Sequence, residues 1–386
     1  MLKDFVRSVF NPAFPHYDDF AIAGGSDIGD AIGTKNGTRG DRELLFLGAP
    51  ANHAAKIIND AGQLRLTTNV YEALPADLQQ LCRNVDTDVY QIAAVSWADL
   101  DELLRVYDIT WDREASAARV KADKQAFPLQ NIEYSSADVL IDLDNLSICN
   151  NKRVLGASLF ADVSGFTRYI DAAATEEEQR SALRVFHAIR KEMSQVIRSD
   201  FAGLRIQFQG DRAQGLFHLP KDDAAIIATH AVETAIGAQS SMEKTLKELV
   251  PEAANLKLAV GVDLGTTLVS KLGARAQRDR ICLGEAVERA AECEEECEGG
   301  QIGITRDVHE LLADDLQQHF TYDRSSQCYV ATNLTADKVE QAAKARLYRS
   351  NEAVFVRSTP SGVTVTGQST PDARSIFPAR PYTDET

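Results

Sequence analysis

The sequence predicts an α/β or α+β fold in which helices cover a sheet, with two related units of this fold in one chain. Three observations lead to this prediction. Apolar positions alternate between the two-residue spacing of strands and the 3.6-residue spacing of helices. A block near the N-terminus recurs in the second half of the chain. The 386 residues, 44% hydrophobic and 25% charged, suffice for two domains of a soluble globular protein.

The order of elements is clearest in the second half of the chain. ASLFADV predicts a strand, and TEEEQRSALRVFHAIRKEMSQVIRSDF predicts an amphipathic helix that opens at Thr175. GLRIQFQGD alternates with period two and closes in a tight hairpin leading into LFHL. DDAAIIATHAVETAIGAQSSMEKTL predicts a second helix, NLKLAVGVDLG and RICLG further strands, and EAVERAAECEEEC a third helix. The apolar face of the first helix comprises Leu183, Val185, Phe186, Ile189, Met193 and Ile197.

The recurring block aligns without a gap over its first part. Residues 24–56 lie on residues 260–292 after a shift of 236 positions, and eleven of the thirty-two positions from 25 onward are identical. Chance would give about two identities. After a two-residue insertion, residues 62–80 lie on residues 300–318. The second copy also follows about ninety residues that have no counterpart before the first, so we expect one partial and one full unit.

These patterns divide the chain into four predicted parts. They are a partial, second-half unit at residues 1–108, a connector at 109–152, a full unit at 153–350 and a tail at 351–386. The tail is rich in Ser, Thr, Pro and Gly and is expected to be flexible. Whether the first half of the N-terminal unit lies upstream of this chain is left open by the sequence.

The charge balance and the cysteines limit the classes of function. Forty-one basic against 57 acidic residues, a net charge of −16, argue against nucleic-acid binding or an anionic membrane surface. No apolar run is long enough for membrane insertion and no signal-peptide pattern is present, so we expect a cytoplasmic protein. The six cysteines suggest no paired framework. Cys293 and Cys297 would share a helix face, but a metal clip would need two further ligands.

Two carboxylates stand out where predicted strands end. Asp162 ends the first strand and is followed by Ser164, Gly165 and Thr167, and Asp211 lies in the hairpin after the next strand. If the two strands are neighbours, both acids project from one edge of the sheet, where a divalent cation relieves their repulsion. Two metal ions held in this way support in-line displacement at phosphorus. The structural alternative is a helix cap and a turn residue.

Four blocks in this order resemble the catalytic domain of the class III nucleotidyl cyclases: ASLFADVSGFTRYI, RIQFQGDRAQGLF, AVGVDLGTTLVSKLG and ICLGEAVERAAE. The resemblance covers residues 153–320 as a full domain and 18–108 as the second half of another. It implies an α+β fold with a ferredoxin-type sheet and covering helices, duplicated in the chain. It also implies two divalent metal ions, Mn²⁺ or Mg²⁺, bound by Asp162, Asp211 and the backbone carbonyl of Val163.

The resemblance implies further site residues. The triphosphate is expected against the segment Ser164, Gly165, Phe166 and Thr167. Family members carry an Asn and, four residues later, an Arg on the helix of the fourth block, where the second copy has Glu288 and Glu292. The first copy has Asn52 and Lys56 there. We therefore expect one working site per pair of units, with the metal acids from one copy and Asn52 and Lys56 from the other, in a homodimer or an intramolecular pseudodimer.

The base-reading positions depart from the purine-using members of the family. The Lys that stands four residues before the second metal aspartate is replaced by Gln207, and the second reading position is Ile281 or, in the first copy, Leu45. The sequence looks most similar to the pyrimidine cyclases of Pycsar antiphage defence. That implies conversion of UTP, with CTP as second choice, to a cyclic nucleotide that acts on a separate effector. The alternatives are a purine cyclase and a catalytically degenerate nucleotide-binding or dimerisation module.

Overall fold

The computed structural model describes residues 1–36, 43–58, 62–93, 97–126, 132–173, 175–274 and 277–341. The chain divides into two units, residues 1–131 with 170–172 and residues 132–169 with 173–386. The predicted boundaries at 108 and 152 stay predictions. The predicted tail at 351–386 lies outside the described residues.

The first unit contains a four-stranded sheet of order β1-β4-β6-β5 and a separate hairpin of β2 and β3. Its strands are β1 Gly24–Ser26, β2 Ile32–Asn36, β3 Glu43–Leu47, β4 Leu64–Thr67, β5 Cys82–Asp86 and β6 Val89–Ile92. Its helices are α1 Leu2–Phe5, followed by a π-turn at Val6–Phe10, α2 Asn11–Ala13, α3 Ala49–Lys56, α4 Thr68–Ala73, α5 Ala76–Gln79, α6 Trp97–Val106 and α7 Arg113–Ala126.

In the described residues of the second unit, nine strands form one sheet. Its strands are β7 Tyr134–Ser135, β8 Asn151–Ser164, β9 Leu204–Gln209, β10 Arg212–Phe217, β11 Lys257–Ala274, β12 Gln277–Leu283, β13 Gln301–Ile304, β14 Thr321–Tyr322 and β15 Tyr329–Thr332. The central order is β11-β8-β10-β9, and β8 and β11 form a long antiparallel ladder. With helical segments between β8 and β9 and between β10 and β11, this is the βαββαβ arrangement of a ferredoxin-type sheet. The predicted α+β fold is therefore confirmed.

The three predicted helices of the second unit begin and end close to their predicted positions, and the structure adds several shorter ones. They are α8 Phe166–Asp171, α9 Glu176–Gln195 with a π-turn at Val196–Asp200, α10 Ala224–Ser240 with a π-turn at Ser241–Leu246, α11 Lys247–Leu249, a 3₁₀ turn at Pro251–Ala253, α12 Glu285–Glu295, α13 Arg306–Leu311 and α14 Asp314–Gln317. Thr175 and Glu178 form a reciprocal capping box that starts α9. Among the described helices, none is long and apolar enough to cross a bilayer.

The core of the second unit lies between this sheet and the helices that cover it. The predicted apolar face of α9 is buried at Val185, Phe186, Ile189 and Met193. Helix α10 packs on β8 and β11, and α12 packs on the same two strands. The sheet therefore has its long central strands shielded from water, as strands with near-continuous apolar runs require.

The internal repeat is visible in the strand pairing. Ile32 pairs with Leu47 in the hairpin of the first unit, and the equivalent Leu268 pairs with Leu283 in the second. The parallel pair β1 and β4 of the first unit has the same register as β11 and β13 of the second. The sequence repeat is therefore a repeat of backbone structure as well.

A buried aspartate is held in the same way in both units. Asp263 is fully buried, accepts a hydrogen bond from the hydroxyl of Thr305 and lies 3.3 Å from Nε of Arg289. In the first unit, Asp27 accepts from the hydroxyl of Thr67 and lies 3.1 Å from Nδ1 of His53, the equivalents of Thr305 and Arg289. Each aspartate thereby ties the repeated helix to the C-terminal end of the following strand, at Thr67 in β4 and at Thr305 directly after β13.

One expectation about the cysteines is wrong. Cys293 on α12 and Cys328 before β15 form a disulfide, although the sequence suggested no pairing. They are 35 residues apart in sequence and reach a Cα–Cα distance of 6.3 Å only because β13 and β15 are neighbours in the sheet. Cys297, the other half of the considered metal clip, is a free, half-buried thiol.

Replacement of Gly261 by alanine is expected to lower the free energy of unfolding by about 3 kcal/mol. A Cβ at this position would stand 2.2 Å from the carbonyl oxygen of Ala290, so α12 would have to move off β11. Thermal unfolding of the purified variant measures the effect. Gly215→Ala is the matched control, because its Cβ would meet Ile197 at an ordinary 3.5 Å. Equal stability of the two variants would contradict this account of the helix contact.

Candidate active site

The two predicted metal acids lie on neighbouring strands of the second unit. Asp162 is near the end of β8, and Asp211 is in the turn between β9 and β10. Strands β8 and β10 are antiparallel neighbours with Ala161 opposite Ala213, and Asp162 and Arg212 are the next residues along the two strands. Both carboxylates therefore belong to the same edge of the sheet.

At this edge, the two acids have too little positive charge around them to stabilise both carboxylates in the ionised form. Burial raises the pKa of Asp162, and the nearby Arg212 guanidinium opposes that rise. Burial, followed by repulsion from Asp162, raises the pKa of Asp211 to about 7, against the opposing charge of Arg190. A half-buried pair of acids of this kind favours either a proton or a metal cation between the two carboxylates.

The donor set fits a hard divalent cation. Carboxylate and carbonyl oxygens are the ligands that Mg²⁺ and Mn²⁺ prefer. Within the described ranges, no group of three or more His, Cys, Asp or Glu residues is close enough to hold a metal. Asp162 and Asp211 would therefore have to share the ion with backbone oxygens such as that of the buried Val163, with substrate or with water.

The predicted phosphate segment runs from the last residue of β8, Ser164, through a turn at Gly165 into the first two residues of α8. Gly165 has φ of +88°, a conformation that an L side chain rarely adopts. The side chain of Phe166 is buried, with its ring 4.7 Å from that of Phe186, so its backbone is the part left to meet a ligand. Ser164 and Thr167 are half-buried on either side.

The predicted base-reading residue Gln207 is half-buried on β9. Its Nε2 donates a hydrogen bond of 3.2 Å to Oε1 of Gln214, which is itself 2% exposed on β10. The side chain therefore has a fixed partner across the ladder, four residues before Asp211 in sequence.

Two further charged residues at this edge were missed from the sequence. Glu294 on α12 is 5% exposed, and its Oε2 lies 2.7 Å from Nε of Arg212 as a close ion pair without an aligned hydrogen bond. Burial raises the pKa of Glu294 to about 7, and the charges of Asp162 and Asp211 contribute to the rise. The signal available in the sequence was an acid on the inward face of an amphipathic helix, but ECEEECE is typical of a solvated segment.

The other predicted site residues lie in the first unit. Asn52 is half-buried and Lys56 is exposed, both on α3. Their equivalents in the second unit, Glu288 and Glu292, are exposed on α12. The side chains of Lys56, Glu288 and Glu292 are therefore accessible to solvent, and that of Asn52 is partly accessible.

Comparison with protein families gives a match to the adenylate and guanylate cyclase catalytic domain at residues 156–342. The chain is 30% identical to a uridylate cyclase of Pseudomonas aeruginosa over 83% of its own length and 63% of that protein. It is 28% identical to a uridylate cyclase of a Rhizobium species over 72% of its length and 56% of that protein. The chain thus spans about three fifths of the length of these relatives. These matches confirm the resemblance to class III nucleotidyl cyclases that the sequence indicated.

Among solved structures, the chain is similar to a class III adenylyl cyclase-like ATP-binding protein from Pseudomonas aeruginosa. The TM-score is 0.67 at 27% identity, over 82% of this chain and 66% of that one. The similarity therefore extends through both units of the chain rather than through the cyclase-like domain alone.

Metal-free protein carrying Asp211→Asn is expected to be more stable than the wild type at pH 8. Because the folded-state pKa of Asp211 is about 7 and an unfolded aspartate titrates at about 4, the wild type loses stability as pH rises between these values. The advantage of the variant should shrink to about a third at pH 5, where an unfolded aspartate is still mostly ionised, and to nearly nothing at about pH 3. Thermal unfolding in EDTA, with the exposed Asp222→Asn as control, measures it. No advantage at pH 8 would contradict the burial of this charge.

Proposed function

Because residues 156–342 match the adenylate and guanylate cyclase catalytic domain, we propose that this chain is a metal-dependent cyclase that converts UTP to 3′,5′-cyclic UMP and diphosphate. CTP is the second choice of substrate. The observation that carries the proposal is the pair of half-buried, mutually repelling carboxylates, Asp162 and Asp211, on one sheet edge. A module that only bound a partner would gain nothing from such a pair, since it costs stability until a cation neutralises it.

The residues of the second unit would bind the metal ions and the triphosphate. Asp162, Asp211 and the Val163 carbonyl would hold two divalent ions, Mg²⁺ or Mn²⁺, which supply Lewis-acid polarisation of the ribose 3′-hydroxyl and the phosphates. Ser164, Gly165, Phe166 and Thr167 bind the triphosphate through the turn after β8. The 3′-oxygen bonds to the α-phosphorus, the bond from this phosphorus to the diphosphate breaks, and the hydroxyl proton leaves to water.

The first unit completes the site in this proposal. Lys56 offsets the negative charge that builds up on the α-phosphoryl oxygens, and Asn52 orients the ribose. Support comes from the repeat, since the equivalent helix of the second unit carries Glu288 and Glu292, whose charge is wrong for both tasks. The partner unit is supplied either by the same chain, as a pseudodimer, or by a second copy in a homodimer.

Pyrimidine selectivity rests on the base-reading position and on the relatives. Gln207 offers an amide where purine-using members have a Lys, and an amide can pair with the polar edge of uracil or cytosine. Two relatives that the chain resembles over most of its length are named uridylate cyclases. We propose that the cyclic nucleotide is a second messenger of antiphage defence, made in the cytoplasm and acting on a separate effector.

A purine cyclase is the second candidate. One solved structure similar to this chain is described as a class III adenylyl cyclase-like ATP-binding protein. ATP binding in that protein makes ATP the natural competitor to include in any assay of this one.

Purified protein incubated with Mn²⁺ and each of the four labelled nucleoside triphosphates is expected to yield cyclic UMP. Asp162→Ala should abolish the product, because a metal carboxylate is lost, whereas Asp222→Ala, at an exposed loop carboxylate, should retain it. Chromatography of the products measures both. Cyclic AMP or GMP would overturn the pyrimidine assignment, and product from Asp162→Ala would overturn the site.

Lys56→Ala is expected to reduce kcat about a hundredfold with a smaller change in KM, since the charge acts mainly on the transition state. Steady-state kinetics with UTP measure the split. Asp86→Ala, at an exposed residue of the same unit, serves as the control. An unchanged kcat would remove Lys56 from the site.

Activity regained on mixing Lys56→Ala with Asp162→Ala would show that the site is shared between two chains.

A further inference from the structure

The guanidinium group of Arg212 makes several contacts with residues of α12. Its Nε lies 2.7 Å from Oε2 of Glu294, its Nη1 lies 3.3 Å from Oε1 of Glu295, and its Nη2 donates to the carbonyl of Ala291 at 3.1 Å. The guanidinium carbon stands 4.5 Å from the centre of the Phe160 ring, within cation–π range. The guanidinium is therefore fixed against the helix.

The same guanidinium is a competitor for the metal acids. Arg212 directly follows Asp211, and it is next to Asp162 in the register of β8 and β10. Its charge already acts on the Asp162 carboxylate. Arginine forms two-pronged pairs with carboxylates readily, so a free Arg212 would occupy oxygens that a divalent cation needs.

Glu294 is well placed to prevent this. Its side chain is buried because α12 lies directly on the backbone of β11, where Gly261 leaves room for the helix turn at Ala290 and Glu294. A buried carboxylate requires a partner of opposite charge, and Arg212 is the cation in contact with it. The exposed Glu295 makes only the longer contact to the same guanidinium.

We propose that Glu294 is a positioning residue that holds Arg212 against α12 and thereby keeps Asp162 and Asp211 available to divalent cations. Glu294 itself does not bind the metal. The inference rests on the proposed metal site and extends it, since it assigns a task to an ion pair that carries out no step of the reaction.

Glu294→Gln is expected to weaken Mn²⁺ binding about tenfold, the lower end for residues that act on a metal through its ligands. The glutamine keeps the shape of the side chain but loses the charge that holds Arg212. The dissociation constant is measured on the full chain, without nucleotide, from the electron paramagnetic resonance signal of free Mn²⁺. Glu295→Gln removes the same charge one residue later and should change the constant less than twofold.

The double variant Arg212→Gln/Glu294→Gln separates positioning from mere structural support. Removal of the competing guanidinium should return the Mn²⁺ dissociation constant to within about threefold of the wild type, whereas simple damage to the fold would leave the double variant as weak as Glu294→Gln or weaker. Thermal unfolding confirms that each variant is folded.

Asp162→Ala distinguishes failure of this inference from failure of the metal site. If the wild type binds Mn²⁺ and Asp162→Ala does not, the site stands, and an unchanged constant for Glu294→Gln or an unrecovered double variant overturns the positioning role alone. If Asp162→Ala binds Mn²⁺ as the wild type does, or neither binds it, the metal site and the positioning role fall together.

Discussion

The repulsion between Asp162 and Asp211 is the constraint around which this edge of the second unit is arranged. Both carboxylates are buried enough for their pKa values to rise, and each raises the cost of ionising the other. Arg190, whose Nη1 lies 3.4 Å from the carbonyl of Gly210, and Arg212 bring positive charge to the same edge. The site is thus built with a deficit of positive charge, which is the condition that favours a divalent cation over a structural ion pair.

The rest of the second unit fixes the positions of the residues at this edge of the sheet. The long ladder between β8 and β11 fixes where β8 ends, and the pairing of β8 with β10 fixes where Asp211 can lie. Helix α12 reaches the edge because Gly261 allows it to rest on the strand backbone. The last turn of α12 carries Glu294 next to Cys293. The disulfide from Cys293 to Cys328 joins the helix to the residue directly before β15.

The repeat shows which features of the fold are physical requirements. Gly25 and Gly261 are identical because a Cβ at either would collide with a helix carbonyl. Asp27 and Asp263 are identical because each joins a helix residue to a threonine at the C-terminal end of the following strand or directly after it. Other positions have diverged, and the face that carries Asn52 in one copy carries Glu288 in the other.

The sequence by itself determined the duplicated α+β fold, the order of its elements and the two strand-end aspartates, because periodicity, repeats and short motifs are properties of neighbouring residues. The residues it did not reveal are Arg212, Glu294 and the cysteine pair. Glu294 lies in a run of acids that looks solvated, and its burial depends on a glycine 33 positions earlier in the chain. Only the tertiary structure decided these, since burial and ion pairing depend on contacts between elements that are distant in sequence.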